Sequence, residues 1–84
     1  MKTIAIKTVE GENFAAAKLA AEKAAATELT DAMLVSWKDN LTGESSPNVM
    51  ACGESNLEGW EMYAHSRGAR LRVEVGGGYV FIFI

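Results

Sequence analysis

The sequence predicts an α+β domain, a two-layer sandwich with two helices on one face of a mixed four- or five-stranded sheet. Three observations predict it. The chain closes on two strand-like runs separated by Gly76-Gly77-Gly78, the first alternating and the second apolar throughout. An alanine-rich stretch from Asn13 to Leu29 repeats its apolar residues at helical spacing. A second helical stretch opens at Ser55-Asn56-Leu57-Glu58, the residue types of a capping box. The resulting order, β-α-β-(β)-α-β-β, is loosely ferredoxin-like, although Pro47 is unwelcome in the central position that such a plait gives its third strand. With 84 residues, 49% of them apolar and 23% charged, the chain is expected to form one domain, residues 1–84.

Lys2 to Val9 alternates weakly, with Ile4 and Ile6 as the inward pair, and reads as the first strand. In the helix that follows, Phe14, Ala17, Ala21, Ala25 and Leu29 form one stripe, and its alanines let the helix backbone approach the sheet closely. Asp31 ends that helix. Ala32 to Lys38 reads as the second strand, with Met33, Val35 and Trp37 facing one way and Leu34 and Ser36 the other. Asp39-Asn40-Leu41-Thr42-Gly43-Glu44 has the makings of a type I turn closed by a glycine bulge, returning the chain into a third strand within Glu44 to Ala51. Pro47 cannot donate to a ladder, which places that strand at an edge or a bulge.

The second helix is expected to run to about Arg67, burying Leu57, Trp60 and Ala64 with Tyr63 at the margin, and to stop at Gly68. Leu71, Val73 and Val75 then alternate with Arg70, Arg72 and Glu74, the pattern of a strand buried on one side. Tyr79 to Ile84 carries no charge on either face, which suits a strand inside the sheet.

Ser46-Pro47, Cys52, Trp60, Tyr63-Ala64, Arg67-Gly68 and Tyr79-Val80-Phe81 resemble a small family of uncharacterised prokaryotic domains of unknown function, over roughly the second half of the chain. These are packing and turn residues. The resemblance implies a compact intracellular domain and names no site.

A net charge of −3 gives no electrostatic footprint for nucleic acid or an anionic membrane. One cysteine and one histidine leave no intrachain disulfide and no ordinary zinc ligand set, so no metal and no cofactor are expected. No apolar run of spanning length occurs, and the protein is read as cytoplasmic. Cys52, three residues before the second helix, is the one catalytic candidate, since free amides and the helix dipole there favour a thiolate. Against it, Glu54 opposes the thiolate, and a lone cysteine after Val49-Met50-Ala51 fits a small core residue. His65, about ten residues along that helix and near its far end, forms no dyad with Cys52 unless the loop doubles back.

For binding, Gly78-Tyr79-Val80-Phe81-Ile82 is similar to the RNA-recognition signature whose aromatics stack on bases, but its basic residue, small residue and final aromatic are replaced by Gly77, Val80 and Ile84. Arg67, Arg70 and Arg72 form the one basic cluster, suited either to an anion or to pairing with Glu74. The functional expectation is a noncatalytic domain acting through self-association or a protein partner. A thiol-dependent or small-ligand activity at Cys52 is the alternative, and nucleic-acid binding through Tyr79 and Phe81 comes third. The expected homodimer uses the sheet face left bare by two helices on one side, with Phe83 in the patch, unless the loop over 39–55 covers it.

Overall fold

The computed structural model describes residues 2–7, 13–46, 59–76 and 78–84. Within them the elements run β1 (Lys2–Ile6), α1 (Phe14–Glu28), β2 (Leu34–Asp39), β3 (Glu44–Ser46), α2 (Gly59–Ser66), β4 (Leu71–Val75) and β5 (Tyr79–Phe83). The strands form one five-stranded sheet in the order β1-β4-β5-β2-β3. β1 pairs parallel with β4, and the other neighbours pair antiparallel. The α+β class, the mixed sheet and the succession of elements are those read from the sequence.

The position of β5 follows from its composition. It is the middle strand, and all five of its residues are buried. Tyr79, Phe81 and Phe83 join Leu71, Val73 and Val75 of β4 on one face, where α1 lays Ala17, Ala21 and Ala25 against them. Val80 and Ile82 turn to the other face and pack with Trp60 and Ala64 of α2. The helices therefore lie on opposite faces, which corrects the expectation of both on one. A central strand that is apolar on both sides needs a cover above and below, and each helix supplies one. This layering, with β3 at an edge instead of the centre, also sets the sheet apart from a ferredoxin-like plait. Pro47 lies outside the described residues, but the strand just before it takes the edge position that a following proline favours.

α1 begins where Asn13 caps it, the side-chain Oδ1 accepting from the Ala16 N–H at 2.9 Å. Its three inward alanines are completely buried, so backbone and sheet are close along the whole stripe. At its N-terminal end the Phe14 ring fills the space that an alanine would leave, 4.5 Å from the Trp37 ring centre and 5.6 Å from that of Phe81. At the other end Glu28 holds Lys2 of β1 at 2.6 Å.

β2 does not alternate as its sequence suggests. Leu34 pairs with Phe83 and Ser36 with Ile82, so Val35 is an extra residue and the strand carries a bulge. Leu34 and Trp37 consequently pack with the α1 layer and Val35 with the α2 layer. Met33 is exposed, although its backbone exchanges two 2.9 Å hydrogen bonds with Ile84.

The β2–β3 turn forms as its residue types require. The Asp39 Oδ1 accepts from the N–H groups of Leu41 at 2.9 Å and Thr42 at 3.3 Å, and Gly43 adopts a φ of 83°. The turn is fastened to the β4–β5 hairpin, because the Asn40 N–H donates to the Gly78 carbonyl at 2.7 Å. Leu41 lies over Gly78 so closely that a Cβ there would come within 2.8 Å of the leucine Cγ.

Candidate functional site

Cys52 lies outside the described residues, as do the capping box over 55–58 and most of the loop expected to cross the sheet. His65 falls in the last turn of α2 and is exposed. Among the described residues, no group of three or more His, Cys, Asp or Glu side chains is placed to hold a metal ion. No described helix is long and apolar enough to cross a membrane.

The aromatic binding candidates are part of the core. Phe81 is 0% exposed, Phe83 2% and Tyr79 5%, all beneath α1. A ring that stacks on a base must present its face to solvent, and these present theirs to Ala17, Ala21, Ala25 and Phe14. The structure thus corrects the reading of Tyr79 and Phe81 as a stacking platform. It equally corrects the placing of Phe83 in an open patch.

The three arginines have different neighbours. The Arg67 guanidinium stands 5.1 Å from the centre of the Tyr63 ring. Arg70 precedes β4 and is exposed, its N–H donating to the Phe83 carbonyl at 3.0 Å. Arg72 leans under the flank of α2. Its Nε donates to Glu74 at 3.0 Å, its Nη1 is 3.6 Å from Glu61, and its guanidinium carbon lies 5.8 Å from the Trp60 ring centre. The pairing with Glu74 is the partner that the sequence offered, and it leaves Arg72 a strut between β4 and α2.

Two features that the side-chain types did not single out now stand out. A groove of about 480 Å³ opens where the end of α1 meets the start of β2, floored by Leu34 and Phe83 and rimmed by Glu22, Glu28 and Asp31. The other is the free edge of β1. The ends of its ladder fix which backbone groups are used, for the Lys2 N–H donates to the Arg70 carbonyl at 3.2 Å and the Gly76 N–H donates to the Ile6 carbonyl at 2.7 Å. Lys2, Ile4 and Ile6 therefore direct their amides and carbonyls toward β4, and Thr3 and Ala5 direct theirs outward. Among the described residues nothing pairs with that outer side. Ile4 and Ile6, the inward pair of the sequence reading, pack against the α1 core and are half-buried, with no described strand beyond β1. The signal that could have marked this edge is the lysine at either end of the run, Lys2 and Lys7, since edge strands commonly carry lysine.

Comparison with known proteins places the fold among solved ones. The crystal structure of a protein from Archeoglobus fulgidus, described as a novel non-family-model protein, matches with a TM-score of 0.79 and 33% identity over 100% of this chain and 93% of that one. An uncharacterized protein of Archaeoglobus fulgidus is 42% identical over 50 residues, which are 60% of this chain and 52% of that protein. The match thus spans about half the length of this relative. The model of a domain of unknown function, DUF5619, matches residues 1–83, and the chain belongs to that family.

Proposed function

We propose that residues 1–84 act as one noncatalytic domain that works by self-association, as a homodimer joined through the outer edge of β1. The observation that carries this reading is the row of outward amides and carbonyls on Thr3 and Ala5, beside two half-buried isoleucines. An edge of this kind is a template for another strand. The bare sheet face anticipated from the sequence is not the route, because Val80 and Ile82 are already covered by α2. A cytoplasmic setting belongs to the same reading, supported by a lone cysteine that has no partner for an intrachain disulfide.

Sedimentation of the wild type beside an Ala5→Pro variant tests it. Proline removes an outward N–H and leaves the β1–β4 ladder untouched, because Ala5 donates nothing to β4. The expected result is a dimeric wild type at micromolar concentration and a monomeric variant with an unchanged far-ultraviolet circular dichroism spectrum. A monomeric wild type sinks the reading, and a variant that stays dimeric moves the interface elsewhere. Phe83→Asp, the substitution suggested by an open patch, is no test, since a charge at a residue 2% exposed breaks the core instead.

A further inference from the structure

Resting on that self-association, we infer that the two copies join β1 to β1 antiparallel in a single register, with the two-fold axis at Ile4. Thr3 of each copy then pairs with Ala5 of the other, and two five-stranded sheets become one continuous sheet.

The register follows from the edge itself. In an antiparallel ladder, a hydrogen-bonded pair of residues exchanges both its N–H and its C=O groups. With the axis at Ile4, every outward group of Thr3 and Ala5 meets its complement on the partner, and the two strands overlap along their full length from Lys2 to Ile6. Moving the axis to Thr3 or to Ala5 sets one of the two residues opposite a position beyond the strand. The side chains agree with the central choice. Ile4 meets the partner's Ile4 in a non-hydrogen-bonded pair, where side chains come closest, and Ile6 meets the aliphatic stem of the partner's Lys2. The half-buried isoleucines thereby extend the layer that Val73 and Val75 form beneath α1.

Charge fits a second copy as well. Lys2 is held on the α1 side by Glu28 at 2.6 Å. Lys7, an odd-numbered position, continues the alternation to the opposite side of the sheet, so the seam sets no lysine against another. A two-fold pairing also closes the assembly, because the edges that remain belong to β3, which is three residues long.

The experiment is oxidative cross-linking of single-cysteine variants in a Cys52→Ser background. Residues in a non-hydrogen-bonded pair lie about 4.5 Å apart at Cα, within the range a disulfide spans. Ile4→Cys is expected to form a covalent dimer nearly completely under mild oxidant, and Thr3→Cys and Ala5→Cys are expected to remain monomeric on a non-reducing gel. Rapid linking of Thr3→Cys or Ala5→Cys instead overturns the register, as does a protein dimeric by sedimentation whose Ile4→Cys form does not link. Amide hydrogen exchange on the unmodified chain gives a second readout, independent of how well the cysteine variants fold. The Thr3 and Ala5 amides are expected to gain protection as concentration rises through dimerisation, and their free exchange in a sedimenting dimer overturns the proposal. A wild type monomeric throughout points instead to failure of the self-association reading beneath it.

Discussion

Substituting Ala21 by leucine tests the closeness of α1 to its sheet more directly than any truncation. Ala21 is 0% exposed, at the middle of the Ala17-Ala21-Ala25 stripe, so leucine adds three carbons where no space is open. Overpacking of this kind costs about 1–3 kcal/mol, paid in displaced backbone and off-rotamer side chains. An 84-residue domain is stable by only about 4–13 kcal/mol at the usual value per residue, so the loss is a large fraction of the whole. At roughly 4–8 °C of Tm per kcal/mol for a domain of this size, a loss near the middle of that range lowers Tm by about 8–16 °C. Ala26→Leu is the control, because it makes the same chemical change on the exposed side of the same helix and is expected to stay within about 0.5 kcal/mol of wild type. Helix propensity is common to both and drops out of the comparison. Both variants are to be measured by urea and thermal unfolding at one protein concentration, so that any assembly contributes equally. Equal effects of the two substitutions would falsify the close packing of helix on sheet.

Two further predictions follow from single polar contacts. Ser36 is 1% exposed on the bulged side of β2, and among the described residues its Oγ has no hydrogen-bond partner; Ser36→Ala is therefore expected to leave stability unchanged or raise it by up to about 1 kcal/mol, and a clear fall in the urea midpoint shows that the hydroxyl does have a partner. Asn13→Ala removes the cap on the Ala16 N–H and is expected to cost about 1 kcal/mol, while Asn13→Asp keeps the acceptor and holds the wild-type midpoint; equal losses in the two variants place the effect elsewhere.

The legible and the illegible parts of this fold divide along a physical line. β4 and β5 could be read because an alternating run beside an uncharged one fixes how many faces each strand buries, and the structure gives β4 one buried face and β5 two. The alanine stripe of α1 could be read because periodicity is local. The face that α2 covers could not, since Trp60 and Ala64 show which side of the helix is apolar but not whether Val80 and Ile82 or Phe81 and Phe83 lie below it. The bulge at Val35 hid behind a sequence that alternates well on its own, because only pairing with Ile82 and Phe83 reveals the extra residue. The binding candidates misled for a related reason. Aromatic residues at Tyr79, Phe81 and Phe83 serve a core and a stacking surface equally well in one dimension, and strand order alone decides which. The same dependence concealed the β1 edge, whose isoleucines look inward from the sequence and whose outer backbone becomes visible only when β4 takes the other side.

The central place of β5 has a consequence for how the chain is made. Synthesis delivers β1, α1, β2, β3, α2 and β4 before Tyr79–Phe83, yet β2 and β4 meet only through that strand. β1 in turn waits for β4, whose first residue Leu71 pairs with Lys2 across most of the chain. No described sheet larger than the β2–β3 hairpin or the β1–β4 pair can assemble until Phe83 has emerged from the ribosome, so the five-stranded sheet waits for the last of its strands to be made, and β2 and β4 each keep an unpaired edge until then.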